Sequence, residues 1–176
     1  WRADDLITEK DILDMLARQK ALNFLPGEEY LYCNTGFTLG AIAVKRITGV
    51  SLRDYADSVF FKPLGMTNTH FHSDHAEITP NRTSAYSKDD KGIWKISIPV
   101  FDNYGATSLF TTVEDLAKWD ENFYTKKIGG DAFINLMQTT GELNNKTAQT
   151  YASGLIVSNY KGYKTVGHSG ADAGYR

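Results

Sequence analysis

The stretch Leu25-Pro-Gly-Glu-Glu-Tyr-Leu-Tyr32-Cys-Asn34-Thr-Gly36 constrains this chain more than any other. Pro26-Gly27 marks a turn. An apolar helical pattern follows from Phe37 to Ile47. Asn34 or Thr35 can cap that helix, because either side-chain oxygen accepts a bond from the free N–H groups of a first helical turn. The chain must therefore pass from a turn through a short non-helical segment into a helix. If Tyr32-Cys33-Asn34 is extended, Tyr32 and Asn34 leave the backbone on the same side. A phenol and an amide then face one cleft. A tyrosine acts as a general base when neighbouring cations lower its pKa. An asparagine offers both donors and acceptors to a substrate amide. The plainer alternative is that both residues only build the entry to the helix.

Two further stretches accompany this one in order, Phe61-Lys-Pro-Leu-Gly-Met66-Thr-Asn-Thr69 and Gly167-His168-Ser169-Gly170. Together the three resemble the Tyr-x-Asn, helix-stop and Lys-Thr-Gly or His-x-Gly segments of the serine β-lactamase and penicillin-binding-protein superfamily. The likeness is greatest to its class C branch, which also holds esterases and D-amino-acid peptidases. The resemblance implies catalytic roles for Tyr32, Asn34 and His168. It implies that Ser169, Gly170 and Ala171 edge the substrate cleft, with the Ala171 N–H as half of an oxyanion hole. Tyr104, next to Gly105-Ala-Thr-Ser, is expected near the same cleft.

Composition narrows the field. The 176 residues suffice for one domain with a core, and 41% hydrophobic content excludes a disordered chain. A net charge of −2 suggests neither nucleic acid nor an anionic membrane surface as a partner. The apolar runs are too short to span a bilayer. Cys33 is the single cysteine, which rules out an internal disulfide and a thiolate metal cluster. A cysteine nucleophile is one alternative at this position, but Cys33 reads as a small buried filler between two motif residues. The expected partner is a small-molecule or peptide substrate, with no nucleic acid, no intrinsic membrane segment and no cofactor. The resemblance implies an exported enzyme, whether periplasmic, secreted or at the cell surface.

Along the chain, Thr8-Glu-Lys-Asp11 forms a capping-box start for a helix to about Gln19, with Ile12, Leu13, Leu16 and Ala17 as its core stripe. The next helix carries Leu39, Ile42, Ala43 and Ile47 inward and ends at Gly49. Ser51 caps a third helix, which Pro63 and Gly65 stop. Asp89-Asp90-Lys91-Gly92 turns between strand-like runs 84–88 and 93–100. Thr112 caps the helix beginning Val113-Glu-Asp-Leu-Ala-Lys-Trp119, and Asp131 starts a short helix through Met137. Runs 151–157 and 163–168 read as a hairpin around Asn159-Tyr-Lys-Gly162.

His70-Phe71-His72-Ser73-Asp74-His75 carries the H-x-H-x-D-H spacing of the metallo-β-lactamase superfamily, and clustered imidazoles bind zinc. A zinc hydrolase using His70, His72, Asp74 and His75 is thus an alternative. A helix stop and a turn precede the motif, so a solvated polar loop without metal is the expected state.

The resembled chemistry needs a serine nucleophile in Ser-x-x-Lys at a helix start, where the spacing puts both side chains on one face. Ser158-Asn-Tyr-Lys161 is the one match, and it falls on the hairpin turn. The nucleophile is therefore expected upstream of Trp1. Residues 1–176 are expected to be a partial serine hydrolase domain, truncated at both ends and inactive by itself. The expected fold class is α+β, a helix-rich region plus part of an antiparallel sheet. The expected parent reaction is acyl-enzyme hydrolysis of an amide or ester, whether β-lactam, D-amino-acid peptide or ester. A catalytically dead ligand-binding homologue is the second alternative.

Overall fold

Thr8 decides where the first helix begins. Its hydroxyl accepts from the Asp11 N–H, and the Asp11 carboxylate accepts from the Thr8 N–H at 2.9 Å. This reciprocal pair fixes α1 at Glu9–Ala17, directly after the two-residue strand β1, Ile7–Thr8. The computed structural model describes residues 5–98 and 100–175. Trp1, Arg176 and Pro99 of the expected strand 93–100 lie outside the described residues. The stripe on α1 does not become core: Ile12, Leu13 and Leu16 are half-buried and Ala17 is exposed.

α2 spans Thr35–Thr48 and ends on Gly49, whose φ of 79° lets its N–H close back onto the Lys45 carbonyl at 2.9 Å. Its buried face is Thr38, Ala41 and Ile42. Of the expected inward residues only Ile42 is buried, and Ile47 is 84% exposed. The cause is Gly105, whose backbone lies against α2. A Cβ at Gly105 would stand 2.6 Å from the Phe37 carbonyl oxygen and 2.9 Å from the Ala41 Cβ. The contact thus selects small residues on that side of α2 rather than the most apolar stripe. Gly105 also has φ 104°, which L side chains rarely adopt. Gly105→Ala is expected to cost about 1–3 kcal/mol. Denaturant unfolding measures it, and a loss below about 0.5 kcal/mol would remove the close approach from this account.

Ser51 caps α3, Leu52–Ala56, by accepting from the Asp54 N–H at 3.1 Å. A single π turn, Asp57–Phe61, leads into α4, Lys62–Leu64, which Gly65 ends with φ 74°. The extra residue of the π turn rotates the register, so Phe61 enters the core while Phe60 stays half-buried beside it. Pro63 sits inside α4 rather than before its end. Ala56, Phe61 and Met66 form the core cluster, with Phe60, Leu64, Phe71 and Trp119 packed on it.

The strands are short: β2 His70–Phe71, β3 Tyr86–Lys88, β4 Trp94–Ile96, β5 Phe101–Asp102 and β6 Leu109–Phe110. β2 pairs antiparallel with β6, and β3 with β4 around the Asp89–Gly92 turn. β1 pairs with β5 in parallel, an exception to the antiparallel expectation. α5, Val113–Thr125, starts at the Thr112 cap, and α6 is Gly130–Met137. β7, Ile156–Tyr160, and β8, Tyr163–Gly167, close the chain as a hairpin. Its turn is tighter than expected. Lys161 and Gly162 make it alone, with φ 51° and 88°, the positive pair that a two-residue hairpin needs. Ser158 lies on β7 with its Oγ 2.7 Å from Thr165 Oγ1, so Ser158 and Lys161 share no helical face. Helices and mostly antiparallel ladders make the fold α+β.

Candidate active site

The cleft is built where the start of α2 meets the end of β8. Tyr32 and Asn34 lie on the coil that feeds α2, and His168 is the residue after β8. Tyr32, Asn34, His168, Ser169, Gly170 and Ala171 all line one open concavity of about 2270 Å³. That exceeds the roughly 300–1,000 Å³ of an ordinary ligand pocket, so the wall is broad and open.

Asn34 stands at the N-cap position of α2, yet its backbone is helical (φ −66°, ψ −31°) and its side chain makes no capping bond. The expected cap is therefore not used, which leaves the amide to the cleft. The ring centroids of Tyr32 and His168 are 5.7 Å apart. Tyr151 fits edge-on to Tyr32 at 5.9 Å and to His168 at 5.7 Å, and Tyr30 lies 5.6 Å from Tyr151. His168 Nδ1 is 2.6 Å from the Ser169 carbonyl oxygen. A carbonyl only accepts, so Nδ1 carries a proton. In the neutral ring Nε2 is then the acceptor, and the Tyr151 hydroxyl donates to it across 3.1 Å. Burial, followed by the neighbouring phenols Tyr32 and Tyr30, pushes the Tyr151 hydroxyl above its ordinary pKa and keeps it a donor. The residues after His168 are tied down from the other side. Asp172 accepts from the Thr107 hydroxyl, and the Tyr175 hydroxyl donates to the Thr83 carbonyl at 2.5 Å. The Ala171 N–H makes no hydrogen bond among the described residues.

Two expectations fail here. Tyr104 does not line the cleft: it is 7% exposed and packs on Phe71, with Glu9 and Ser51 at its hydroxyl. Cys33 is exposed rather than a buried filler. The Thr35 hydroxyl beside it holds its thiol below the ordinary range, against a smaller effect of burial. Tyr151 is the cleft residue that sequence reasoning missed. The run 151–157 puts it at the head of a strand, whereas the structure leaves it outside β7 in a lone bridge to Ile156.

Over residues 1–176 the sequence matches the family described as Beta-lactamase. The chain belongs to the beta-lactamase family. It is 24% identical to a penicillin-binding protein of Bacillus subtilis (strain 168) over 192 residues, covering 99% of this chain and 42% of that protein. It is 25% identical to a D-aminopeptidase of Cereibacter sphaeroides (strain ATCC 17023), covering 95% of this chain and 32% of that one. Among solved structures it resembles the octameric penicillin-binding protein homologue from Pyrococcus abyssi, with TM-score 0.79 and 26% identity over 93% of this chain and 38% of that one. A D-stereospecific amidohydrolase from Streptomyces sp. shares the fold, with TM-score 0.76 and 22% identity over 97% and 51% of the two chains. The chain thus spans less than half the length of these curated relatives.

In this beta-lactamase-family chain the histidine motif is only in part the expected solvated loop: Asp74 and His75 are exposed, whereas His70 and His72 are not. His70 is in β2, and His72 continues the strand by donating its N–H to the Ser108 carbonyl at 2.8 Å. His72 is 4% exposed and stacks on Phe110 at 4.4 Å and 9°. His70 and His72 share a strand face, with His70 Nε2 3.4 Å from His72 Nδ1. Glu77 joins them, its Oε2 3.7 Å from His72 Nδ1. Arg53 grips the Glu77 carboxylate with two bonds, at 2.6 and 2.7 Å, and holds it below the usual carboxylate range. Burial lowers both imidazole pKa values, with Arg53 adding to the effect at His70. Asp74 and His75 turn away to Asp102, where His75 Nδ1 is 3.0 Å from Asp102 Oδ1. The four residues of the H-x-H-x-D-H reading are therefore divided between two places.

Proposed function

We propose that this chain is part of a serine hydrolase that acts on amide or ester bonds through an acyl-enzyme, with D-amino-acid peptides, β-lactams or esters as the substrate class. The observation that carries the reading is the convergence of Tyr32 and Asn34 with His168-Ser169-Gly170-Ala171 in one cleft, although the two segments stand far apart in sequence. Tyr32 is the general base. It takes the proton of the serine hydroxyl as Oγ bonds to the substrate carbonyl carbon. The oxyanion of the tetrahedral intermediate points at the Ala171 N–H. When the C–N or C–O bond breaks, Tyr32 returns the proton to the leaving group. Water, activated the same way, then releases the acid. His168 orients and supports the phenol, Asn34 holds the substrate amide, and Ser169 and Gly170 line its path.

In this reading the serine comes from outside residues 1–176. A penicillin-binding protein, a D-aminopeptidase and a D-stereospecific amidohydrolase among the similar proteins support the substrate class. An exported location goes with that class. Among the described residues no helix is long and apolar enough to cross a membrane.

A second reading, a ligand-binding homologue without turnover, draws on Ser158 and Lys161 lying on a hairpin rather than a helix. Labelling with a fluorescent penicillin and a fluorophosphonate separates the two. Residues 1–176 alone are expected to take no label, and the full-length protein is expected to take one equivalent. An adduct on Ser158 or Ser169 overturns the external serine. A full-length protein that binds penicillin without a covalent adduct establishes the second reading.

A further inference from the structure

We propose that His70 Nε2, His72 Nδ1 and Glu77 Oε2 form a binding site for one divalent transition metal, zinc above all, on the wall of the cleft. His70, His72 and Glu77 each offer one ligand atom within 4.8 Å of the other two. Their separations, 3.4 Å between the imidazole nitrogens and 3.7 Å from His72 Nδ1 to the carboxylate, are too long for good hydrogen bonds. They suit a tetrahedron. Zinc bonds of about 2.0–2.1 Å at tetrahedral angles set ligand atoms roughly 3.3–3.4 Å apart. Two nitrogens and one carboxylate oxygen are also a donor set that zinc takes, and three protein ligands leave a fourth position for water or substrate. His70, His72 and Glu77 all line the open cleft, so that position is reachable.

The site is held in place before any metal arrives. The backbone pairing of β2 with β6 sets the two histidines on one face. Stacking on Phe110 fixes the His72 ring. Arg53 fixes the Glu77 carboxylate, as an outer partner does for a ligating carboxylate. A carboxylate has about four lone-pair sites, of which Arg53 occupies two, so Oε2 still has one to give. The Arg53 charge opposes a cation, and the Glu77 charge between them offsets it.

Zinc alone, titrated into the chelator-treated protein against a chromophoric competitor, tests this. One equivalent is expected to bind and to raise the Tm. Cobalt in its place is expected to give the intense visible bands of a four-coordinate ion. Glu77→Gln keeps the side-chain shape, and His70→Ala removes a half-buried ring. Each is expected to weaken zinc by more than the about 10–100-fold that a lost outer partner costs. His75→Ala, in the separate Asp74–His75–Asp102 group, is expected to leave the affinity unchanged. No binding by the unmodified protein, or binding lost in His75→Ala and kept in His70→Ala, overturns the assignment. Serine acylation and zinc binding are read independently, so failure of one leaves the other standing.

Discussion

Tyr32→Phe in the full-length enzyme is expected to lower kcat by about 10²–10⁴-fold, the range that general-base catalysis supplies. The substitution keeps the ring that meets His168 at 5.7 Å and Tyr151 at 5.9 Å, so the packing around it survives. It removes only the oxygen that, in the proposed mechanism, takes the serine proton. Tyr32 is 47% exposed, and loss of one hydroxyl is expected to change folding by about 1 kcal/mol at most. The expected signature is therefore a fall in kcat and kcat/KM together with a Tm lower by about 4 °C at most, which marks an interaction made in the transition state. Asn34→Ala is expected to raise KM as well, because in the proposed mechanism that amide also holds the substrate. A Tyr32→Phe enzyme with near-normal kcat and an unchanged Tm would reduce Tyr32 to a piece of the helix entry.

What the sequence discloses follows from the range of the interaction involved. The caps at Thr8, Ser51 and Thr112 are contacts across three residues, and a sequence window contains them whole. The Lys161-Gly162 turn is local too, and it differs from the Asn159–Gly162 expectation only in length. The buried face of α2 is different. Thr38 and Ala41 face inward because Gly105 approaches there, and no hydrophobic period within 35–48 records that. Tyr104 stands beside a family-like segment, and only that proximity in sequence points it to the cleft, but its ring packs on Phe71 from a neighbouring ladder. The histidine motif shows the same limit. Alternation on a strand pairs His70 with His72, and the chain then leaves the strand, so Asp74 and His75 no longer share their face. Glu77 enters instead, carried there by Arg53. The cleft itself was legible because Tyr-x-Asn and His-x-Gly are short motifs that each survive intact. Tyr151, which joins them, has no motif of its own.

Asp115 is expected to be the most costly polar side chain to remove. It is 0% exposed and accepts from the Asn68 N–H at 2.7 Å, the Thr69 hydroxyl at 2.9 Å and the Lys118 ammonium at 2.8 Å. Through these bonds one carboxylate of α5 holds the segment that follows α4, against which Met66 packs the core. Burial alone would raise its pKa, but Lys118, Asn68 and Thr69 together hold it below the usual carboxylate range. Asp115→Ala leaves those donors facing a cavity. Thr69 keeps Thr111 at 2.8 Å, whereas the Asn68 N–H loses the acceptor shown for it. Breaking such a buried charged group typically costs about 3–5 kcal/mol, here a Tm lower by about 6–20 °C. Asp115→Asn is expected to fall nearly as far, since its amide nitrogen meets donors with a donor. The sign of the pH dependence follows from the depressed pKa. The unfolded carboxyl, near 3.9, takes its proton first as the solution is acidified. Asp115 thus contributes fully above that value, and its contribution is lost as pH falls through the lower folded pKa. Stability measured from pH 7 down to pH 2 is expected to drop less steeply in Asp115→Asn than in the unmodified protein. An Asp115→Ala protein within about 1 kcal/mol of the parent, with the same acid limb, would show that α5 is held to the core by Trp119 and its apolar neighbours alone.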